Sequence, residues 1–265
     1  MKAIASLFLC FAMVCTVSSA QAQQQPSERE PTEEEVVQSM PPLMRAAYKG
    51  RVDEVRTLLK EGANVNEMFG LGFTALMIAA AFGHLDVMKV LLDAGANPNG
   101  AVGMTHPRVI ITPLNVAMSP RNKKRLETID MLIAAGAKVN PPVAEQAPLD
   151  NAVTNRDVEM VKAFLDRGAD VDSPDQFGRT SLWRAVSDGN GPDVSIVKLL
   201  LEAGADPNKS RIWVGNQCIS ILEDLNRALM TYKDQARLEV SRLLIQHGAK
   251  RYRRKAPVDG CYPSR

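Results

Sequence analysis

Apolar residues in the middle of the chain recur at the spacing of one helix face. Val87, Val90, Leu91 and Leu92 follow the pattern that is typical of a half-buried helix. Gly95 comes directly after this stretch, and glycine is a common helix-ending residue. The pattern therefore predicts an amphipathic helix that ends just before Gly95.

A second, shorter apolar run precedes this helix. Leu76, Ala79 and Ala80 share a face, and the Thr74 hydroxyl is placed to cap the start of a helix. Gly83 separates the two runs and is expected to end the first one. Together the runs predict a unit of helix, turn, helix and extended loop.

The closing half of this unit recurs along the chain. The further copies are Leu58–Asn66, Met131–Asn140, Phe164–Asp172, Leu200–Asn208 and the less regular Leu243–Lys250. Self-similarity at this kind of spacing indicates a solenoid, in which each unit buries its apolar face against its neighbours.

The complete unit from Gly72 to Asn99 resembles an ankyrin repeat. This resemblance implies an all-α repeat solenoid of about six stacked ankyrin repeats, each with a helix-turn-helix and a finger loop. The repeats fall within residues 40–250, at roughly 40–67, 68–100, 101–140, 141–173, 174–210 and 211–250. The usual Thr-Pro-Leu-His box is never complete, and somewhat looser repeats are expected, because the histidine position holds Met77, Asn115, Asp150 or Trp183.

The repeats are unevenly spaced, so extra residues have to be accommodated. We expect them in loops, because an insertion within a helix would disturb the stacking of the repeats. Irregular loops are therefore predicted in repeats three, five and six, at Gly100–Ile111, Ser119–Arg125, Asp188–Gly191 and Ile219–Arg237.

The N-terminal residues have the composition of an export signal. Lys2 precedes the apolar run Ala3–Val17, and the small residues Ala20 and Ala22 follow it. This pattern predicts a signal peptide over residues 1–22. A membrane anchor is the alternative, although a bilayer span requires about 20 apolar residues. Export favours a periplasmic protein of a Gram-negative bacterium, with secretion as the alternative and no transmembrane segment after cleavage.

Two polar segments flank the repeats. Residues 23–39 are rich in Gln, Glu, Pro and Ser, which predicts a disordered spacer, although Pro31–Glu35 is also compatible with the start of a short helix. Residues 251–265 form the C-terminal tail. The stretch Lys250–Lys255 holds five basic residues. It suits a weak contact with an anionic lipid or an acidic partner, or a solvated end that complements the dipole of the last helix.

Export also changes the interpretation of the cysteines. Cys218 and Cys261 remain after signal cleavage, and such a pair usually bonds in an oxidising compartment. A disulfide would hold the tail against the last repeat. Two unpaired thiols are the alternative.

The composition argues against catalysis and nucleic-acid binding. The net charge is +2, and the chain lacks a Gly-rich phosphate loop, a nucleophile elbow and a zinc-protease helix. His84 and His247 have structural explanations within the repeat, and His106 has no ligand-type residues spaced around it for zinc. We therefore expect a protein that is not an enzyme and that binds no cofactor or metal.

The resemblance implies that the fingers and the first helices bind another protein. Aromatic residues and arginines are the types that anchor interfaces. The candidate partner-binding residues are Arg45, Tyr48, Phe69, Phe73, Phe82, Met104, His106, Arg108, Phe177, Arg179, Arg184, Arg211 and Trp213. A scaffold in the cell envelope is the predicted function. The alternatives are an inhibitor or immunity factor for an exported toxin or enzyme, and a binder of anionic lipid or lipopolysaccharide through the tail.

Overall fold

The computed structural model describes most of the chain after the predicted signal peptide. For the short strands at 102–103, 110–111, 211–214, 217–219 and 253–255, it describes only the backbone. The described residues are 32–70, 72–100, 102–103, 110–142, 147–175, 178–187, 191–209, 211–214, 217–232, 234–251 and 253–255.

Paired helices alternate with loops through all six predicted repeats. A short helix, α1 (Glu33–Ser39), precedes them. The first and second helices of successive repeats are α2 (Pro42–Tyr48) and α3 (Val52–Lys60), α4 (Ala75–Phe82) and α5 (Leu85–Asp93), α6 (Pro113–Ala117) and α7 (Arg125–Ala134), α8 (Pro148–Thr154) and α9 (Val158–Asp166), α10 (Ser181–Ser187) and α11 (Val194–Glu202), and α12 (Ile221–Thr231) and α13 (Gln235–Gln246). The all-α solenoid predicted from the sequence is confirmed.

Like helices stack on like helices. The first helices α2, α4, α6, α8, α10 and α12 pack against one another in order, and second helices form a parallel row beside them. Small residues allow the close approach of the first helices: Ala46, Ala79, Ala80, Ala117 and Ala152 are fully buried. The core is therefore one continuous band that runs the length of the stack.

The first helices begin as the sequence predicts. Pro42, Pro113 and Pro148 occupy first-turn positions, where the missing N–H would have no helical partner. The Thr74 hydroxyl accepts a hydrogen bond of 3.3 Å from the backbone N of Met77. In the third repeat, Asn115 takes the histidine position and closes a reciprocal capping box with Thr112.

A ladder of asparagine side chains joins the loops of consecutive repeats. The Asn140 amide donates to the carbonyl of Gly168 (2.9 Å) and accepts from the backbone N of Asp170 (2.8 Å). The same pair of bonds is made by Asn66, Asn99 and Asn208. In the fourth repeat Asp172 stands in this position and only accepts, from the backbone N of Asp206 and from Lys209.

The insertion in the third repeat is organised by a buried amide. The Nδ2 of Asn122, which is 2% exposed, lies 2.9–3.0 Å from the carbonyls of Ala80 and Ala117 and from the Thr128 hydroxyl, so its two N–H groups are shared among three acceptors. Its Oδ1 accepts from the backbone N of Lys124 at 2.8 Å. This side chain fixes the predicted Ser119–Arg125 loop against two repeats at once.

The insertions in the third-repeat finger and in the sixth repeat differ in part from the prediction, and that in the fifth repeat, at Asp188–Gly191, lies outside the described residues except for Gly191. In the third repeat the finger contains a short antiparallel pair, β1 (Val102–Gly103) and β2 (Ile110–Ile111). In the sixth repeat the extra residues lengthen the first helix itself, because α12 has 11 residues whereas α10 has 7. A terminal first helix has a neighbour on one side only, so the longer helix does not disturb the stacking.

Both polar flanks contain regular structure. The predicted spacer includes α1, which begins in a capping box of Thr32 and Glu35 and buries Val37 and Met40 against the first repeat. The predicted tail contains β5 (Arg253–Lys255), which pairs with β4 (Gln217–Ser220) beside β3 (Arg211–Val214). Ordered structure therefore starts before residue 40 and continues beyond residue 250. Within the described part of the chain, no helix has the length and apolar character needed to cross a bilayer.

Candidate functional site

The C-terminal ends of the first helices form one edge of the stack. Tyr48, Phe82, Thr154 and Ser187 are the last residues of their helices. Because the first helices pack side by side in order, these residues and the turns after them lie along a common edge. We call this edge, including the turns that contain Arg121 and Arg156, the turn-side rim.

An aromatic cluster occupies the N-terminal part of the turn-side rim. The rings of Tyr48 and Phe82 meet edge to face with centroids 5.0 Å apart, and the His84 ring stacks on Phe82 with centroids 6.1 Å apart. The Arg121 guanidinium lies 5.5 Å from the Phe82 centroid, within the range of a cation–π contact. His84 also bonds through Nε2 to the carbonyl of Tyr48 at 3.1 Å, which ties the first two repeats together.

Helix α1 covers part of this aromatic cluster. The Tyr48 hydroxyl donates to the Glu33 carboxylate at 2.6 Å, and Arg121 lies 3.8 Å from the same carboxylate. Burial, followed by the hydrogen bond to Glu33 and its negative charge, raises the pKa of Tyr48 to about 12. The phenol therefore stays protonated and acts as a fixed hydrogen-bond donor to α1.

A network of ion pairs lies between the fourth and fifth repeats. Arg184 donates through Nε to Asp150 (2.6 Å) and through Nη2 to Asp175 (2.9 Å). Arg179 binds the same Asp175 carboxylate at 2.7 Å, and its guanidinium lies 5.2 Å from the Trp183 ring centroid. Alternating charges thus connect the first helix of repeat four with the first helix and finger of repeat five.

Asp150 is the most buried acid in this network, with 8% of its surface exposed. Burial raises the pKa of Asp150 above its ordinary value, and the opposing attraction of Arg184 is the smaller effect. The carboxyl stands at the position where the family commonly has histidine. A carboxyl therefore takes the place of a neutral hydrogen-bonding side chain, and Arg184 is the cation that stabilises its charged form.

A cavity of about 210 Å³ opens beside the ion-pair network. It lies at the junction of the fourth and fifth repeats and includes parts of the turn-side rim. We call it the arginine cavity, and it is lined by Val153, Thr154, Arg156, Arg179, Trp183, Arg184, Ala185, Ser187 and Asp193.

Arg156 has an unusual backbone conformation at this cavity. Its φ angle is +54°, and it is the one non-glycine residue with positive φ in the described part of the chain. Gly50 and Gly83 occupy the equivalent turns of the first two repeats. A side chain in this region costs about 1–2 kcal/mol relative to glycine. The Arg156 side chain reaches the fifth repeat, where Nη2 donates to the carbonyl of Gly191.

Comparison with known proteins identifies the family. A family model described as ankyrin repeats (3 copies) matches residues 15–101 and 112–211, which is more than half of the chain. The chain belongs to the ankyrin-repeat family. Ankyrin repeats form scaffolds for protein–protein interaction, and this coarse function is the one that the family supports.

Individual ankyrin proteins resemble the chain over shorter stretches. Human ankyrin repeat and SOCS box protein 6 is 30% identical over 155 residues, which cover 54% of this chain and 36% of the human protein. The chain thus spans about a third of that relative's length. A putative ankyrin repeat protein of Acanthamoeba polyphaga mimivirus is 29% identical over 136 residues, covering 45% of this chain and 82% of the viral protein.

The solved ankyrin structures agree in fold. The crystal structure of the human ASB11 ankyrin repeat domain matches with a TM-score of 0.58 and 29% identity. The match covers 82% of this chain and 88% of that domain. Because these relatives are animal and viral proteins, they give no support to the prediction of a bacterial, exported protein.

The structure brings several predicted partner-binding residues to the two clusters just described. Tyr48 and Phe82 lie in the aromatic cluster, and Arg179 and Arg184 line the arginine cavity. Arg45 is half-buried beneath α1 and donates to Gln38 at 3.2 Å. These contacts mean that the predicted groups are held in place by their own chain.

Other predicted residues lie elsewhere. Phe73 is 5% exposed and belongs to the core, because its backbone pairs with Phe69 in a tight finger that turns its ring inward. Phe69 is half-buried against the same core. For Arg211 and Trp213 the structure describes only the backbone of β3. The predicted residues outside the described part of the chain are Met104, His106, Arg108 and Phe177, together with Cys261 of the predicted disulfide.

Sequence reasoning missed several residues of these clusters. Glu33 falls in the segment predicted as a spacer or as the start of a short helix, and Arg121 falls in a predicted insertion. Arg156 could have been found, because an arginine stands where the first two repeats have a turn glycine. In the described residues, no group of three or more His, Cys, Asp or Glu side chains is arranged to hold a metal ion.

Proposed function

We propose that this ankyrin protein is a non-catalytic scaffold that binds another protein through its finger loops and the turn-side rim. The observation that carries the proposal is the concentration of half-buried aromatic and arginine side chains along that rim. Such side chains anchor interfaces because they bury a large area at a low entropic cost. Their positions are fixed by internal contacts, which reduces the cost of ordering them on binding.

We further propose that the protein acts outside the cytoplasm, in the cell envelope of a bacterium. The support for this location is the N-terminal sequence alone: Lys2, the apolar run and the small residues before the expected cleavage site. Detection of the cleaved chain in a periplasmic extract, beginning at Gln23, would establish the location. Recovery of the uncleaved chain in the cytoplasm would contradict it.

The scaffold function is tested by crosslinking in intact cells, followed by affinity recovery and mass spectrometry. The rim variant carries Lys49→Glu and Thr154→Glu, two exposed positions at the ends of first helices. The matched control carries Lys162→Glu and Thr57→Glu, the same exchanges at exposed positions on second helices. A protein recovered by wild type and control but lost by the rim variant supports rim binding.

Equal recovery by all three forms would move the binding site away from the rim. The identity of the captured protein also separates the scaffold from its alternative. An exported toxin or enzyme whose activity falls on binding would make the protein an inhibitor or immunity factor. Recovery of no specific protein by any form contradicts the scaffold proposal.

A weak contact with an anionic surface is a second proposal, supported by the exposed Lys250 and Arg251 at the end of the stack. Each basic residue close to an anionic bilayer contributes about 1 kcal/mol to the binding free energy. Vesicles that contain anionic lipid should bind the protein in low salt and release it in high salt. If neutralising the five basic residues of Lys250–Lys255 leaves this binding unchanged, that stretch does not mediate it.

A further inference from the structure

The arginine cavity differs from the rest of the turn-side rim in the charge of its lining. Arg156, Arg179 and Arg184 line it, together with a single carboxylate, that of Asp193. The Asp193 carboxylate already accepts a hydrogen bond of 3.1 Å from the backbone N of Ile196, as the cap of α11. The acids Asp150 and Asp175 bind the arginines without lining the cavity. A group that enters therefore meets guanidinium groups directly, while their partners Asp150 and Asp175 lie outside the lining.

Two carboxylates hold the Arg184 guanidinium in place, and its Nη1 group remains available as a hydrogen-bond donor. Its side chain is 23% exposed, and two carboxylates fix its Nε and Nη2. Its Nη1 makes no hydrogen bond to any of the residues that the structure describes. A half-buried guanidinium with an unused N–H edge is suited to a carboxylate, because the planar fork of donors matches the two carboxylate oxygens.

Arg156 adds a second indication that the cavity is a binding site. The chain holds an arginine in a left-handed turn where glycine would be unstrained. Strained positions of this kind cluster at binding sites, where the side chain has a role that offsets the strain. Here the side chain extends from the turn of the fourth repeat to the carbonyl of Gly191 and forms part of the cavity wall.

The size of the cavity limits what can enter. A volume of about 210 Å³ corresponds to roughly seven water molecules at the density of liquid water, which is room for one amino-acid side chain. Val153, Ala185 and the Trp183 ring supply an apolar wall. A short aliphatic stem that ends in a carboxylate therefore matches both the apolar wall of the cavity and the guanidinium groups of its arginines.

We propose that the arginine cavity receives a carboxylate from the bound partner, either an Asp or Glu side chain or a C-terminal carboxylate. This inference rests on the proposed scaffold function and assigns an acidic peptide segment as the feature that the scaffold recognises. The carboxylate binds to the Arg184 edge, and its stem lies against the Trp183 ring.

The test is a titration of the isotope-labelled full chain by two-dimensional NMR. The probes are two capped tripeptides, Ala-Glu-Ala and Ala-Gln-Ala, and the readouts are the Trp183 indole N–H and the Arg184 Nε–H signals. Trp213→Phe distinguishes the two indoles. The glutamate peptide should cause saturable shifts in both signals, whereas the glutamine peptide should not. Equal shifts with both peptides, or no saturable shift with either, would overturn the proposal.

Thr154 provides a matched pair of variants, because its exposed side chain lines the cavity outside the ion-pair network. Thr154→Glu places a competing carboxylate at the cavity, and Thr154→Gln is of the same size without the charge. The glutamate variant should bind the peptide at least about tenfold more weakly than the glutamine variant, because like charges repel across the site. Equal affinities would reject the site.

The two proposals fail in distinguishable ways. If the rim variant loses its captured partner but the two peptides behave alike, the scaffold function stands and the carboxylate site is rejected. If the glutamate peptide binds but no cellular protein is captured, the site stands and the proposed scaffold function is contradicted. A C-terminal carboxylate as the natural ligand is supported if a peptide with a free C-terminal Ala competes with the glutamate peptide.

Discussion

Single polar side chains join repeats whose apolar surfaces alone would leave gaps. Asn122 is the clearest case, because one buried amide bonds to the ends of two first helices and to the Thr128 hydroxyl. The Gly83 turn is shaped around it: a Cβ atom at Gly83 would lie 2.3 Å from the Asn122 Oδ1. The insertion of the third repeat therefore depends on this residue for its conformation.

Asn122→Ala should lower the free energy of unfolding by about 2–3 kcal/mol, because the carbonyls of Ala80 and Ala117 lose a partner and a cavity forms. Chemical denaturation monitored by circular dichroism measures the change. Lys123→Ala, at the exposed neighbouring position, is the control and should change stability by less than about 0.5 kcal/mol. Similar effects of the two substitutions would contradict the structural role of Asn122.

The raised pKa of Asp150 makes stability depend on pH. Since the folded protein binds this proton more tightly than the unfolded chain, the carboxyl contributes stability that is fully present below its ordinary pKa. That stability is lost as the pH rises through the folded pKa. The free energy of unfolding of wild type relative to Asp150→Asn should therefore fall as the pH rises above the ordinary pKa of an aspartic acid, by at most about 1.4 kcal/mol per pH unit.

Urea denaturation of both proteins across this pH range checks the prediction. Asp53→Asn, at an exposed position on α3, gives the baseline for a carboxylate on the surface. A difference between wild type and Asp150→Asn that rises with pH would mean that Arg184, and not burial, dominates the titration of Asp150.

At the scale of elements, the asparagine ladder contains a natural comparison. Four repeats use an asparagine that both donates and accepts, and the fourth uses Asp172, which cannot donate to the next repeat. Asn140→Asp should cost about 1 kcal/mol, because the carbonyl of Gly168 loses its hydrogen bond.

The reciprocal change, Asp172→Asn, should be close to neutral. The substitution adds an amide donor toward the loop of the fifth repeat. It also removes the ion pair with Lys209, whose own side chain is 55% exposed, so that the loss of this pair should have little effect. Thermal and urea denaturation of the two variants give the comparison. Equal losses of stability for both exchanges would show that the donated hydrogen bond does not matter.

The repeats were predictable from the sequence because their signals are local. The proline starts at Pro42, Pro113 and Pro148, the cap at Thr74 and the turn at Gly83 each depend on a few neighbouring residues, and all are confirmed. The same locality explains why the six helix pairs were located despite their irregular spacing.

The elements that were missed, and helix α1, whose start at Pro31–Glu35 was predicted only as an alternative to a disordered spacer, depend on distant contacts. Helix α1 gains its stability from Val37 and Met40 against the first repeat, and two apolar residues in a polar segment give no periodic signal. The bonds of Asn122 reach as far back as Ala80, and β5 pairs with a strand in an earlier part of the last repeat. The ion pairs that form the arginine cavity likewise join residues on different repeats.

At the scale of the whole molecule, a three-stranded sheet joins the finger of the last repeat to the start of the C-terminal tail. In the order β3-β4-β5, the residue opposite Cys218 is Arg254, a short distance along the chain from Cys261. The backbone pairing brings the start of the tail to the strand that contains Cys218. The disulfide itself stays a prediction, because Cys261 lies outside the described residues.

The disulfide is tested by thiol counting on denatured protein from an oxidising compartment, which should give no free thiol. Reduction, or Cys218→Ser with Cys261→Ser, should then lower the free energy of unfolding by about 2–4 kcal/mol, because the unfolded chain regains the entropy of the open loop. Two titratable thiols before reduction would show that the cysteines are unpaired.

The asparagine ladder also affects how the number of repeats in such a protein can change. Each asparagine bonds to a carbonyl and an amide of the next loop, and these are main-chain groups that every repeat presents in the same place. A duplicated or deleted repeat would therefore meet a neighbour that already offers both partners, whatever its side chains. Whole repeats can therefore be added or removed at these joints with both bonds restored, independently of the side chains on the turn-side rim.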